Sequence, residues 1–161
     1  AAKLLGKTLL ARVQASMAAD GPVATMGVCA DEAQALTAKI GAETGVSVGR
    51  SSLRLRNPAN AGPDWVQGWL NELGERPADG VEPLRRIDQT ADGPVARVAL
   101  PLSLAPPCLT CHGPTESLNA DLLAALDERY PLDAARGYAA GDLRGVIWAE
   151  TRVAARGEAA P

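Results

Sequence analysis

Two of the three cysteines and the sole histidine of this chain fall in one five-residue run, Cys108-Leu109-Thr110-Cys111-His112. Scattering three Cys and one His at random over 161 positions reproduces that arrangement in about two of ten thousand trials, so the run is not chance. Cys-x-x-Cys-His is the attachment signature of c-type haem. Two thiols on one turn reach the vinyl groups of adjacent pyrroles, and the next residue brings an imidazole nitrogen under the iron. Any fold for this chain must therefore leave a slot for a large planar group beside that turn. Composition agrees: 47% of residues are hydrophobic, yet there is no Phe and there are only 3 Trp and 2 Tyr. An aliphatic core so poor in large aromatic side chains gains from a bound planar filler.

Other uses of the run fit less well. A zinc site would consume Cys29, Cys108, Cys111 and His112, every Cys and His in the chain. A redox dithiol ordinarily follows a strand and opens a helix, whereas Pro106-Pro107 precedes this one. A structural Cys pair is the remaining bland reading of the run.

At 161 residues the chain is expected to be one domain, 1–161, large enough to bury a core without staples. Charged residues make up 22% and the formal net charge is -3, which provides no net positive field for nucleic acid or anionic lipid. No apolar stretch approaches the ~18 residues of a transmembrane helix. Haem c is attached outside the bacterial inner membrane or in an equivalent compartment, so the chain is expected to be periplasmic or otherwise exported. An opening at Ala1, with neither Met nor leader, is expected if a signal peptide was removed or a longer chain was trimmed, and says nothing against export.

Apolar residues at four-residue steps, Leu5, Leu9, Val13 and Met17, predict a first helix over residues 2–18, within an N-terminal helical segment 1–20. Asp20-Gly21-Pro22 interrupts it, and Pro22 suits the opening turn of a second helix that stops at Gly41. Met26, Cys29, Ala33, Leu36 and Ile40 share one face of that helix, which turns Cys29 inward. From Val46 alternation predicts a half-buried strand with Arg50, Arg54 and Arg56 on one side. A turn-rich loop over 57–64 leads to a short helix over 64–74 carrying Trp65, Trp69, Leu70 and Leu73. Segments 82–88 and 95–104 flank a turn and predict an antiparallel hairpin. A helix over 118–130, a last strand over 146–151 and a fraying tail over 154–161 complete an α+β chain with no internal repeat.

The remaining question is the sixth iron position. Cys29, Met26, Met17, water or an open site are the candidates, since no second His exists. Met26 and Cys29 share a helix face, so spacing does not separate them. A methionine would raise the reduction potential; a thiolate would stabilise ferric iron and lower it.

The chain resembles the PAS-like monohaem c-type cytochrome family in which the motif histidine and a helix cysteine ligate the iron. The resemblance spans nearly the whole chain and rests on Gly21-Pro22 followed by Cys29, Arg50-Ser51, Arg56-Asn57-Pro58-Ala59-Asn60 and Pro63-Asp64-Trp65. It continues through Cys108-Leu109-Thr110-Cys111-His112-Gly113, Tyr130-Pro131-Leu132-Asp133, Gly137-Tyr138 and Gly141-Asp142-Leu143-Arg144-Gly145. Gly62 is one residue extra in its loop, and Val66 replaces a common acidic residue. The resemblance implies one covalent haem c between the helices and a PAS-like antiparallel sheet, with His112 proximal and Cys29 distal. Arg50, Arg54 and Arg56, on alternate strand positions, would meet the haem propionates, since guanidinium forks bind carboxylates bidentately, or else form a solvated basic edge. Tyr138 and Tyr130 would hydrogen-bond a propionate or close the core. Asn57 and Asn60 are expected to hold their loop by side-chain to backbone bonds.

The expected role is one-electron transfer or redox sensing at low potential, with a redox partner protein or a small redox-active molecule. One alternative is a sensor module in which a departing thiolate opens the iron to a diatomic gas such as NO or CO. Another is a haem enzyme of peroxidase or sulfur-oxidising type, for which an acid-base residue over the iron is wanting because the one His is already engaged.

Overall fold

The computed structural model describes residues 1–153; the tail over 154–161 lies outside the described residues. Five helices and four strands are named in chain order: α1 (Ala2–Gly27), α2 (Ala33–Thr44), β1 (Ser47–Ser51), α3 (Asp64–Leu73), β2 (Leu84–Thr90), β3 (Gly93–Ser103), α4 (Leu109–His112), α5 (Ala120–Arg129) and β4 (Leu143–Arg152). The strands form one antiparallel sheet in the order β1-β4-β3-β2.

Alternation along β4 loads both faces of the sheet. Ile147 and Ala149 point to one side, where they pack with Leu5 and Leu9 of α1 and Ala33 and Ile40 of α2. Val146 and Trp148 point to the other, against Trp65, Val66 and Leu70 of α3. Helices thus cover both faces, the α+β architecture expected. No helix among the described residues is long and apolar enough to cross a membrane.

α1 is broken where the sequence breaks. Gly21 adopts φ 77° ahead of Pro22, which disfavours helical geometry in the residue before it. Thr25 Oγ1 donates to the Gly21 carbonyl at 2.7 Å and lies 3.2 Å from Ser16 Oγ, so a buried hydroxyl pair stitches the two halves together. The second half then passes through a π-helical turn, Val28–Glu32, before α2. That turn splits the apolar face read from the sequence. Met26 and Ala30 face Leu122, Leu126 and Tyr130, while Ala33, Leu36 and Ile40 face the sheet. α2 also runs past Gly41 to Thr44 and stops at Gly45, the residue that takes the left-handed conformation, φ 64°.

The strand expected to carry three arginines is shorter than its alternation suggested. Its ladder ends at Ser51, opposite Val146, and only Arg50 lies on it. Beyond that point Ser52 Oγ donates to the Arg54 carbonyl at 2.6 Å, a local closure that removes Arg54 and Arg56 from the strand. The hairpin is present, with Thr90 and Gly93 as its last paired residues.

Candidate functional site

The Cys-x-x-Cys-His run begins in a single turn at Pro106–Cys108 and finishes as α4, with His112 its last residue. All three cysteines are free thiols. Cys108 packs against Leu104, Ala135 and Tyr138, whereas Cys111 packs against Leu122, Leu126 and Tyr130. Burial, above all, raises the Cys111 thiol above its ordinary pKa.

The segment 135–138 runs beside this turn and fixes it by three bonds. Tyr138 N–H donates to the His112 carbonyl at 3.0 Å and Gly137 N–H to the Gly113 carbonyl at 2.8 Å. His112 Nδ1 lies 2.8 Å from the Ala135 carbonyl oxygen, which can only accept, so Nδ1 carries the proton and Nε2 keeps a free lone pair. Burial, reinforced by Arg144 and Arg56, pushes the His112 pKa down to about 3, so the imidazole is neutral at pH 7. The Tyr138 ring meets the His112 ring edge-on, with centroids 6.3 Å apart.

A cleft of about 720 Å³, part of it open to solvent, lies at the end of the sheet where β1 and β3 finish and β4 starts. Cys29 from the π-helical turn and His112 from α4 both line it. Met26 points instead into the cluster around Leu122, and neither it nor Met17 borders the cleft. Of the two residues that spacing left level, Cys29 lines the cleft and Met26 does not. Among the described residues no three His, Cys, Asp or Glu side chains converge as ligands of a metal ion.

The cleft wall is cationic, and among the described residues no carboxylate lines it. Arg50 donates to the Cys29 carbonyl at 3.2 Å, and its buried Nε has no partner among the described residues. Arg144 Nη1 donates to Ser52 Oγ at 2.8 Å and sits within 3.2 Å of the Arg54 carbonyl. Burial lowers the pKa of both guanidiniums. Two desolvated cations, one of them with a buried Nε that has no partner among the described residues, favour an anionic ligand in the cleft. Tyr130 also lines the cleft and packs in the Leu122 cluster, and burial raises its phenol pKa.

The other expected contacts divide. Arg54 has left the strand to lie over the Tyr138 ring, its guanidinium carbon 3.8 Å from the centroid. Arg56 borders the cleft but is held by Asp133. The expectation that the three arginines extend side by side from one strand is therefore corrected, because the ladder stops at Ser51. Tyr138 is core-packed and next to His112. Asn57 Oδ1 accepts from Ala59 N–H within its loop, while Asn60 Oδ1 accepts from Gln34 of α2. Arg144 and Asp133 were not singled out as functional; their only sequence signal was membership of the Gly141–Gly145 and Tyr130–Asp133 stretches.

The Tll0287-like family profile matches residues 3–150. The chain belongs to the Tll0287-like family. A solved relative, the cyanobacterial heme-protein Tll0287, superposes with a TM-score of 0.67 at 21% identity, covering 95% of this chain and 90% of that one. The Tll0287-like fold thus extends over nearly the whole chain. No curated protein matches its sequence.

Proposed function

We propose that this Tll0287-like chain is a monohaem c-type redox protein that exchanges one electron at a time, with iron held between His112 and Cys29. The observation that carries the reading is one cleft bordered by a neutral imidazole, a free helix thiol and the desolvated guanidiniums of Arg50 and Arg144, with two more free thiols at attachment spacing just before that imidazole in the chain. Bound haem supplies a ferric/ferrous couple. Cys108 and Cys111 are the groups that would form thioethers. The Ala135 carbonyl holds the His112 proton on Nδ1, so that Nε2 is ready to ligate without losing a proton. Cys29 would ligate as thiolate, and Arg50, bonded to its carbonyl, lends positive charge there. Arg50 and Arg144 would receive the propionates. If His112 and Cys29 both held the iron, electron transfer or redox sensing would be favoured over substrate activation. Covalent attachment implies maturation in an exported compartment. The electron would pass to a partner protein or a small redox-active molecule.

The test is mass under denaturing conditions together with the visible spectrum of protein matured in an exporting host. The expected product retains one haem and gives a low-spin ferric spectrum. Cys29→Ala should convert that spectrum to high-spin or water-ligated and raise the midpoint potential, while Met26→Ala leaves it unchanged. A chain without a haem adduct refutes the proposal, and the reverse behaviour of the two variants reassigns the ligand.

A further inference from the structure

Arg56 was expected to reach a propionate, yet the fold engages it with Asp133. That pair is enclosed: the Arg56 side chain is 10% exposed and that of Asp133 1%. Asp133 Oδ2 accepts from Arg56 Nε at 3.1 Å and from Arg136 Nε at 2.8 Å, and its Oδ1 accepts from Ala135 N–H at 2.8 Å. Ala135 in turn supplies the carbonyl that takes the His112 Nδ1 proton. The Arg56 Nη2 that donates to the Cys111 carbonyl at 2.5 Å also stands 3.4 Å from this same Ala135 oxygen. One guanidinium thus touches the peptide group preceding His112 and the acceptor of the His112 proton.

We propose that Arg56 and Asp133 are positioning residues that act through the Ala135 carbonyl to set how strongly His112 donates electron density to iron. The inference rests on the reading above that His112 is an axial ligand. At 3.4 Å the Arg56 contact with the carbonyl is a weak hydrogen bond, but its charge acts in a poorly screened interior. It draws electron density from the Ala135 oxygen and weakens that oxygen as an acceptor. The imidazole then keeps its Nδ1 proton more firmly, donates less to ferric iron, and the potential is higher. Asp133 opposes this by neutralising Arg56, and through Ala135 N–H it also holds the carbonyl in place. Removing either partner therefore shifts the potential in opposite directions. A merely structural pair would loosen the site in the same sense whichever partner was removed.

The experiment measures midpoint potentials and ferric EPR g-values on holoprotein with haem attached, for wild type, Arg56→Gln, Arg56→Lys, Asp133→Asn and Arg136→Gln. Arg56→Gln should lower the midpoint, Asp133→Asn should raise it, and Arg56→Lys, which keeps the charge, should recover most of the wild-type value. Arg136→Gln, which breaks an ion pair to Asp133 without touching the Ala135 carbonyl, should shift it less than Asp133→Asn. Shifts of the same sign, or a lysine variant no closer to wild type than glutamine, overturn the relay. If Arg56→Gln fails to hold haem, a midpoint in Asp133→Asn that does not rise overturns it equally. Wild-type protein lacking haem defeats the functional reading and this inference together. Wild-type protein with low-spin haem but without opposed shifts defeats this inference alone.

Discussion

Leu122→Ala tests the packing that brings the two sides of the cleft together. Leu122 is fully enclosed, at 0% exposure, in a cluster with Leu126 and Tyr130. Met26 and Ala30, on either side of Cys29 in sequence, pack against this cluster, as does Cys111. The substitution removes three carbons from a fully enclosed site. At about 0.8 kcal/mol per buried methylene the transfer loss is roughly 2.4 kcal/mol. The residual cavity adds to it, which brings the expected cost to about 3–4 kcal/mol, within the ~2–5 kcal/mol typical of such truncations. For a domain of this size each kcal/mol moves the melting midpoint by ~2–4 °C, so a drop of about 6–16 °C is expected. Urea unfolding at fixed pH measures the loss directly, with Leu132→Ala as reference because Leu132 is 74% exposed. The reference should stay within ~0.5 kcal/mol of wild type. Equal losses for the two variants would refute the claim that α5 anchors the site.

Gly145→Ala should be worse than its size suggests, since an added Cβ would lie 2.3 Å from the Ser51 carbonyl at φ +152°; a loss below about 1 kcal/mol in the same urea assay would contradict the close β1–β4 approach. Burial opposes ionisation of Asp133, but the Ala135 N–H, Arg136 and Arg56 outweigh it and leave the folded-state pKa below the usual carboxylate value. Its stabilisation is therefore present above the unfolded pKa of ~3.9 and lost as pH falls through the lower folded value. Acid titrations of stability should show Asp133→Asn and wild type converging below about pH 4, and a constant gap would remove Asp133 as the cause. Arg50→Met removes a buried cation whose Nε has no partner, so the haem-free fraction should melt no lower than wild type while the fraction carrying haem falls. A lower melting point with normal haem content would make Arg50 a structural residue instead.

The kink at Gly21-Pro22, the hairpin and the α+β class were legible in the chain, because each is written in local spacing. Periodicity and turn chemistry depend on neighbours a few residues away. The alternation from Val48 to Arg56 was equally local and misled, because a strand continues only while a partner strand is there to bond it. That partner is contributed by β4, which meets β1 only as far as Ser51. The same limit hid the pairing of Asp133 with Arg56, 77 residues away.

The amino-acid order alone determined which groups can do chemistry here: two thiols and an imidazole on one turn, with a third thiol on a distant helix. Tertiary structure decided which of Met26 and Cys29 borders the cleft, since a five-residue π turn rotates one away from the other's surroundings. It also decided which arginines remain unpaired at the cleft and which is neutralised. Charge complementarity between residues far apart in sequence is a property of distance in space, and folding alone sets that distance.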